Sequence, residues 1–347
     1  MLRQCDLFTS GHEAYHTFRI PSIVATRAGS LLAFCEGRRG GRGDSGDIDI
    51  LLRRSDDGGS TWSAMQTVWA DPGNTCGNPC AVVDRDSGAL SLLLTHNLGT
   101  DVEHQIIEGS SEGTRTVWLT RSEDDGHSWS TPQNITHATK MDDWTWYATG
   151  PGAGIQLRSG RLVIPCDHIE AESKKYFSHV IISDDGGKSW RLGGTTPQDQ
   201  VNECEVAELD DGRLLLNMRN YDRNQRTRAV ATSDDGGESW STLTRQSELI
   251  EPICQASLRR LETPEAALLL FSNPASEEKR ANMTVRLSRD DGRTWPIARS
   301  LHAGPAAYSC LLAMPDGSAA CLYECGQEHP YEVIRFAHFD PSWLLGT

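Results

Sequence analysis

An all-β fold is predicted, a six-bladed β-propeller of four-stranded antiparallel blades that fills residues 1–347 as one domain. Three observations predict it: a glycine- and proline-rich composition, an octapeptide that recurs five times, and an apolar strand signature that recurs six times. The chain carries 32 Gly and 15 Pro beside 37% hydrophobic residues. That balance provides a core but too many turn formers for a helical protein, and all-β chains of this length often form a single domain.

The octapeptide reads SDDGGSTW at 55–62, SEDDGHSW at 122–129, SDDGGKSW at 183–190, SDDGGESW at 233–240 and SRDDGRTW at 288–295. In the common form, Ser-x-Asp-x-Gly-x-Ser/Thr-Trp, a short carboxylate accepts bonds from the N–H groups of a tight turn. Gly takes up positive φ, and Trp pins the turn by burying a large ring. Each box is therefore expected to be a hairpin turn, with Asp57, Asp124, Asp185, Asp235 and Asp290 serving stability. The runs DIDILLRR, TVWLTR, SHVIIS, RAVATS and MTVRLS that precede the boxes alternate or are β-branched, as half-buried strands do.

A turn followed by an apolar strand occurs six times, in AGSLLAFCE, SGALSLLLT, SGRLVIPCD, DGRLLLNMR, PEAALLLFS and DGSAACLYE. Six such units give about 58 residues each, near the size of one propeller blade with its loops. Radial closure explains how an all-β chain of this length avoids long exposed edges. The sixth box, which is missing, falls in the blade shared by the two termini. Strand direction then puts boxes and Gly turns on one face and gathers the polar residues that follow the apolar strands on the other. Those residues are Glu36, Arg38, Asp44, His96, Asp167, His168, Arg219 and Glu324, and one mouth of a propeller channel is a common ligand site.

The formal net charge is −15, which leaves no broad basic surface for nucleic acid or anionic membrane. The N-terminal MLRQCDLFTS lacks a secretory pattern, and no run approaches the roughly 18 apolar residues of a membrane span. A cytoplasmic location without membrane insertion is expected, or a secreted or periplasmic one for a trimmed chain, and the six units leave no spare length or linker. The ten cysteines sit mostly in apolar runs and read as buried free thiols of a reducing compartment. Cys76/Cys80 and Cys321/Cys325 lack a zinc-ribbon pattern, so neither metal nor organic cofactor is expected.

Three arginines occupy costly places. Arg19 lies inside FRIPS, Arg219 closes LLLNMR, and Arg280 precedes ANMTVRLS. From three blades they can converge on one planar anion such as a carboxylate, although any one of them alone reads first as a local ion pair. FRIP followed by Asp boxes, with NECEVAEL, LLLNMR, KRANMTVRLS, AAYSCL and CLYE in order over nearly the whole chain, closely resembles the exo-α-sialidases, or neuraminidases.

The resemblance implies hydrolysis of terminal sialic acid from sialylated glycans or sialosides, with Arg19, Arg219 and Arg280 holding the sugar carboxylate. It makes Glu324 the acid that orients Arg19, Tyr308 the nucleophile, Glu203 the carboxylate that takes the Tyr308 proton, and Asp44 the acid/base. A neutral phenol is not repelled by the carboxylate on the anomeric carbon, and it needs a base because its ordinary pKa is near 10; sialidases thus depart from the two-carboxylate scheme. Arg38 ranks above Arg39 as a supporting cation. Asp47 and Asp49 rival Asp44 but open a strand. Asn78, Glu103, Asp167 and His168 are candidates to line the pocket for the sugar's N-acetyl and glycerol groups, each reading otherwise as a plain loop residue, and Trp144, Trp146 and Tyr147 are either an apolar wall or core. A non-catalytic sialic-acid-binding propeller would keep the arginines without needing the Tyr308–Glu203 pair, while a trans-sialidase or an enzyme preferring the deaminated sugar would share the same core residues.

Overall fold

A computed structural model describes residues 1–263 and 267–346. The predicted alternating runs are strands, and the only helices among the described residues are three short ones, Glu103–Glu108, Thr136–Thr139 and Pro341–Leu345. None is long and apolar enough to cross a membrane. All six apolar signatures are strands: Leu31–Arg38, Leu90–Asn97, Leu162–Glu170, Leu214–Asn220, Ala267–Pro274 and Ala319–Cys325. The turn expected at the start of PEAALLLFS falls on 264–266, outside the described residues.

Each Asp box joins two antiparallel strands. The first links Ile48–Ser55 to Gln66–Trp69, the third Tyr176–Ser183 to Arg191–Thr195, and the fourth Thr227–Ser233 to Thr244–Ile250. The strand without a box is Leu2–Thr9, which pairs antiparallel with Val333–Phe339 and so unites the two ends of the chain.

Hydrogen bonding gathers the strands into four sheets, of seven, five, nine and four strands, rather than six separate ones, and the strand orders are open. Two local features cause the fusion. The strand Ile297–Ala313 runs on for 17 residues, pairing first with Ala281–Ser288 and then with Ala319–Cys325. A single parallel pair, Ile48 with Thr75, joins two further antiparallel groups. Apolar side chains fill the space between neighbouring sheets. Leu157, Val163 and Val180 pack against Val206, Leu214 and Leu216, for example. The ten cysteines are free thiols, nine of them buried.

The two faces separate as strand direction requires. One concavity is lined by box and turn residues including Asp84, Gly160, Asp185, Gly212 and Asp235, whereas the residues that follow the apolar strands border a cavity elsewhere.

Box geometry explains the recurrence of its residues. Asp185 accepts from Ser183 Oγ at 2.8 Å, Lys188 N at 3.0 Å, Ser189 N at 2.9 Å and Ser189 Oγ at 2.6 Å. Trp190 is buried beneath and donates Nε1–H to Gly187 O at 3.2 Å. Desolvation opposes ionisation of Asp185, yet these donors outweigh it and bring its carboxyl down from 3.8 to about 2. A pKa lowered on folding gives stability that is complete above the unfolded value and lost as pH falls through the folded one. This box should therefore stabilise fully above about pH 4 and cease to do so near pH 2. Asp185→Ala should cost about 1 kcal/mol, as loss of a capping carboxylate does, and thermal melts at pH 7 and pH 2.5 should show the difference between variant and wild type shrinking at the lower pH.

Candidate active site

Five strands that border the cavity shift register at the point where they face it. The shifts fall at Ile20–Pro21, Asn78–Pro79, Thr145–Trp146, Asn202–Glu203 and Ala307–Tyr308. A bulge interrupts the strict in-out alternation of a strand and re-aims a side chain, and here Ile20, Asn78, Trp146, Asn202, Glu203 and Tyr308 are all turned onto one space of about 300 Å³. Ile20 and Asn78 reach it at φ 60° and 50°, a strained setting for a β-branched residue above all.

Tyr308 and Glu203 meet across this space. The phenol donates to Glu203 Oε1 at 2.5 Å, and Arg219 Nη1 donates to Glu203 Oε2 at 2.6 Å and to the Tyr308 oxygen at 3.1 Å. Burial, reinforced by the Glu203 charge, pushes the Tyr308 hydroxyl well above its ordinary value despite Arg219 and Arg280. Tyr308 is consequently a neutral phenol whose proton already points at a carboxylate.

The second cluster is organised by Glu324, which is fully buried. Its Oε1 accepts from Arg19 Nε at 2.7 Å and Ile20 N at 2.9 Å, and its Oε2 from Tyr308 N at 3.1 Å. Arg19 lies over the Tyr331 ring at 3.9 Å from its centroid, and Arg280 Nη1 donates to the Tyr331 oxygen at 2.6 Å. Arg19, Arg219 and Arg280 thereby line one cavity from three separate strand groups.

Asp44 sits on the glycine-rich segment after the strand Leu31–Arg38. Arg38 Nη1 holds its Oδ1 at 2.8 Å, and Arg19 Nη1 lies 4.0 Å away. The same Arg38 donates to the carbonyls of Arg42 and Gly43 at 2.6 and 3.0 Å, while its other nitrogens grip Glu36. Partial desolvation raises the Asp44 pKa, but Arg38 and then Arg19 outweigh it and hold the carboxyl below its usual value.

Of the residues singled out in the sequence, Arg19, Arg38, Asp44, Asn78, Glu103, Asp167, Glu203, Arg219, Arg280 and Tyr308 all line the cavity, and Glu324 stands behind Arg19. His168 does not. As the next residue after Asp167 on a strand, it points to the opposite face, where it stacks on Trp144 at 3.4 Å and contacts His179. His96 likewise turns outward to Asp71 at 2.8 Å. Asp49 accepts from Tyr15 and Arg39, and Trp144 and Tyr147 belong to the core while Trp146 alone faces the cavity.

Sequence reading missed Arg42, Arg115, Asn202, Tyr221 and Tyr331, which also line the cavity. Arg115 binds Asn78 Oδ1 at 2.8 Å and lies 4.0 Å over Trp146. The signal for Asn202 was its place beside Glu203; Tyr331 and Arg115 carry none without the tertiary contacts. Among the described residues no cluster of three or more His, Cys, Asp or Glu is disposed to hold a metal ion.

The family model described as BNR repeat-like domain matches residues 29–321. The exo-alpha-sialidase of Aspergillus fumigatus is 31% identical over 95% of this chain and 86% of its own length. The chain belongs to the sialidase family. A sialidase of Micromonospora viridifaciens is 36% identical over 98% of the chain, which spans 54% of that relative. Among solved structures, the Hadza microbial sialidase Hz136 superposes with a TM-score of 0.86 at 30% identity, covering 96% of this chain and 68% of that one.

In this sialidase-family chain, Glu324→Ala would leave the buried Arg19 charge and two backbone N–H groups without their acceptor. Breaking a buried pair from one side costs about 3–5 kcal/mol. Urea unfolding should register a loss of that size, against 1 kcal/mol or less for Asp6→Ala, whose pair with Arg335 is partly exposed.

Proposed function

We propose that the chain is a retaining exo-α-sialidase. It hydrolyses terminal α-linked sialic acid from glycoconjugates or oligosaccharides through a covalent Tyr308 intermediate, and its four-stranded groups form the six blades of one propeller across residues 1–347. The observation that carries the reading is the 2.5 Å bond from the Tyr308 hydroxyl to Glu203, set among Arg19, Arg219 and Arg280. A site that only bound the sugar would have no use for a phenol presented to a base.

The sugar carboxylate takes the three guanidinium groups and so places the anomeric carbon over Tyr308. The phenol oxygen attacks that carbon as its proton passes to Glu203. The glycosidic C–O bond breaks, its electron pair stays on the departing oxygen, and Asp44 protonates that oxygen. Water then attacks the anomeric carbon, gives its proton to Asp44 and releases the Tyr308 oxygen, which recovers its proton from Glu203. Two displacements retain configuration.

Release of a fluorescent phenol from an α-N-acetylneuraminic acid glycoside tests this directly. Tyr308→Phe should abolish turnover with folding intact, and Arg280→Ala should raise KM about 100-fold, as loss of a charge-paired hydrogen bond does. NMR should detect the α-anomer as the first product. A wild type that binds the free sugar without turnover would instead make the chain a sialic-acid-binding propeller.

A pH dependence follows from Asp44. It must be protonated to act as the acid, and in the free protein Arg38 and Arg19 hold its pKa down. A bound carboxylate offsets the Arg19 charge and raises that pKa. Because kcat/KM reports the free enzyme and kcat the complex, the basic limb of kcat should lie at higher pH than that of kcat/KM. Coincident limbs would remove Asp44 from the acid role.

A further inference from the structure

Glu324 is not the only buried glutamate that binds main chain beside the cavity. Glu251 and Arg228 are both 0% exposed and pair at 2.6 Å between Oε2 and Nη1. Neither is among the residues that line the cavity, and no step of the reaction above uses them. Their other bonds run to segments that carry the site. Glu251 Oε1 accepts from Asn220 N at 2.8 Å, at the end of the strand Leu214–Asn220 and directly after Arg219. Arg228 Nε donates to Asn217 Oδ1 at 2.7 Å, two residues before Arg219. On the other side, Glu251 Oε2 accepts from Cys254 N at 3.4 Å, and Arg228 Nη1 donates to Cys254 O at 2.7 Å. Cys254 in turn packs with Ile20, Ala307 and Tyr308, and its sulfur interacts electrostatically with Arg280 and Arg219.

We propose that Glu251 and Arg228 are a positioning pair for the carboxylate site, holding Arg219 through Asn217 and Asn220 and bracing Tyr308 and Arg280 through Cys254. The inference rests on the sialidase reading, which gives those groups their roles. Two observations set the pair apart from one that serves stability alone. Arg228 Nη2 is buried without a partner among the described residues, and a buried pair with an unmet donor is a poor substitute for apolar packing. Ile253, one residue before Cys254, stands at φ 56°, a conformation that a β-branched residue adopts only where its surroundings impose it. The same combination occurs at Glu324, which accepts from the main chain of Ile20 at φ 60°. A ligand-binding side chain keeps its place to within about 0.5 Å only when hydrogen bonds behind it fix its support. Glu251 and Arg228 supply those bonds for Arg219 as Glu324 does for Arg19.

Three variants assayed on the fluorogenic α-sialoside separate positioning from stability. Glu251→Leu leaves the Arg228 charge buried alone and should lower the melting temperature strongly. Glu251→Leu combined with Arg228→Met removes both charges together, so most of that melting temperature should return. Asn220 N and Cys254 N still lack their acceptor there, and KM should stay roughly tenfold or more above wild type. The change in kcat should be smaller, because Glu203 keeps its bond to Tyr308. Glu251→Gln combined with Arg228→Met is equally uncharged but returns an acceptor to Asn220 N, and should recover most of the lost affinity. Calorimetry with free sialic acid should rank the variants in the same order. A KM that simply follows the melting temperature, an equal KM in the two double variants, or failure of both to fold would overturn the assignment and leave the pair a structural one. A wild type inert on the sialoside would overturn the sialidase reading itself, and this inference with it.

Discussion

The Glu324 carboxylate is the constraint on which the site depends. It is fully buried, and its two oxygens satisfy a guanidinium and two main-chain N–H groups from strands almost three hundred residues apart in sequence. By holding Arg19 through Nε it fixes the plane of that fork and leaves the outer nitrogens for a ligand. By accepting from Tyr308 N it fixes the backbone that carries the phenol. A buried ion pair seldom improves stability over apolar packing, so this one is best understood through the geometry it imposes. The positive φ at Ile20 belongs to the same bargain: strain at one residue lets both Arg19 Nε and Ile20 N reach the same oxygen.

Charge pairing around the cavity is uneven, and the unevenness has a direction. Arg19 is matched by Glu324, Arg38 by Glu36 and Asp44, and Arg219 by Glu203. Arg280 touches the phenol of Tyr331, and Arg115 the amide of Asn78 and the hydroxyl of Thr95. Neither forms an ion pair among the described residues. An anion entering beside Arg280 thus meets a cation that is desolvated but not neutralised, where Coulomb attraction is strongest. This is how a chain with a net charge of −15 presents a locally positive site, since the field at the mouth of a cleft depends on nearby groups rather than the total.

Repetition made the architecture legible. Five boxes and six apolar strands announce the hairpins and the face on which they turn, because turn chemistry and period-two burial are local properties. The cavity residues that share motifs, such as Arg19 in FRIPS and Tyr308 in AAYSCL, were legible through resemblance. Two kinds of information were not. The register shifts at Asn78, Trp146 and Glu203 depend on how two strands pair, so simple alternation misjudges which residues face inward; His168 was placed in the pocket by its neighbour Asp167 and points away. Arg115 and Tyr331 enter the cavity only because distant strands bring them there. The fusion of strand groups into four hydrogen-bonded sheets was equally invisible, since it turns on the single long strand Ile297–Ala313 and one bridging pair.

Aspartate shows how far surroundings outweigh identity in this molecule. In the boxes it is surrounded by donors from its own turn, ionises readily and stabilises the hairpin. Asp44 is held as an anion by two arginines, on a segment whose carbonyls the same Arg38 anchors. Asp167 has burial and like charges around it and no donor, which push its carboxyl well above the usual carboxylate range. Three or four donors to each box carboxylate on the turn face contribute stability that tolerates two strained bulges and an unsatisfied carboxyl on the cavity face. A fold violates its own local rules where chemistry is performed and obeys them elsewhere. The separation of the two faces by strand direction keeps the violations away from the turns that sustain the sheets.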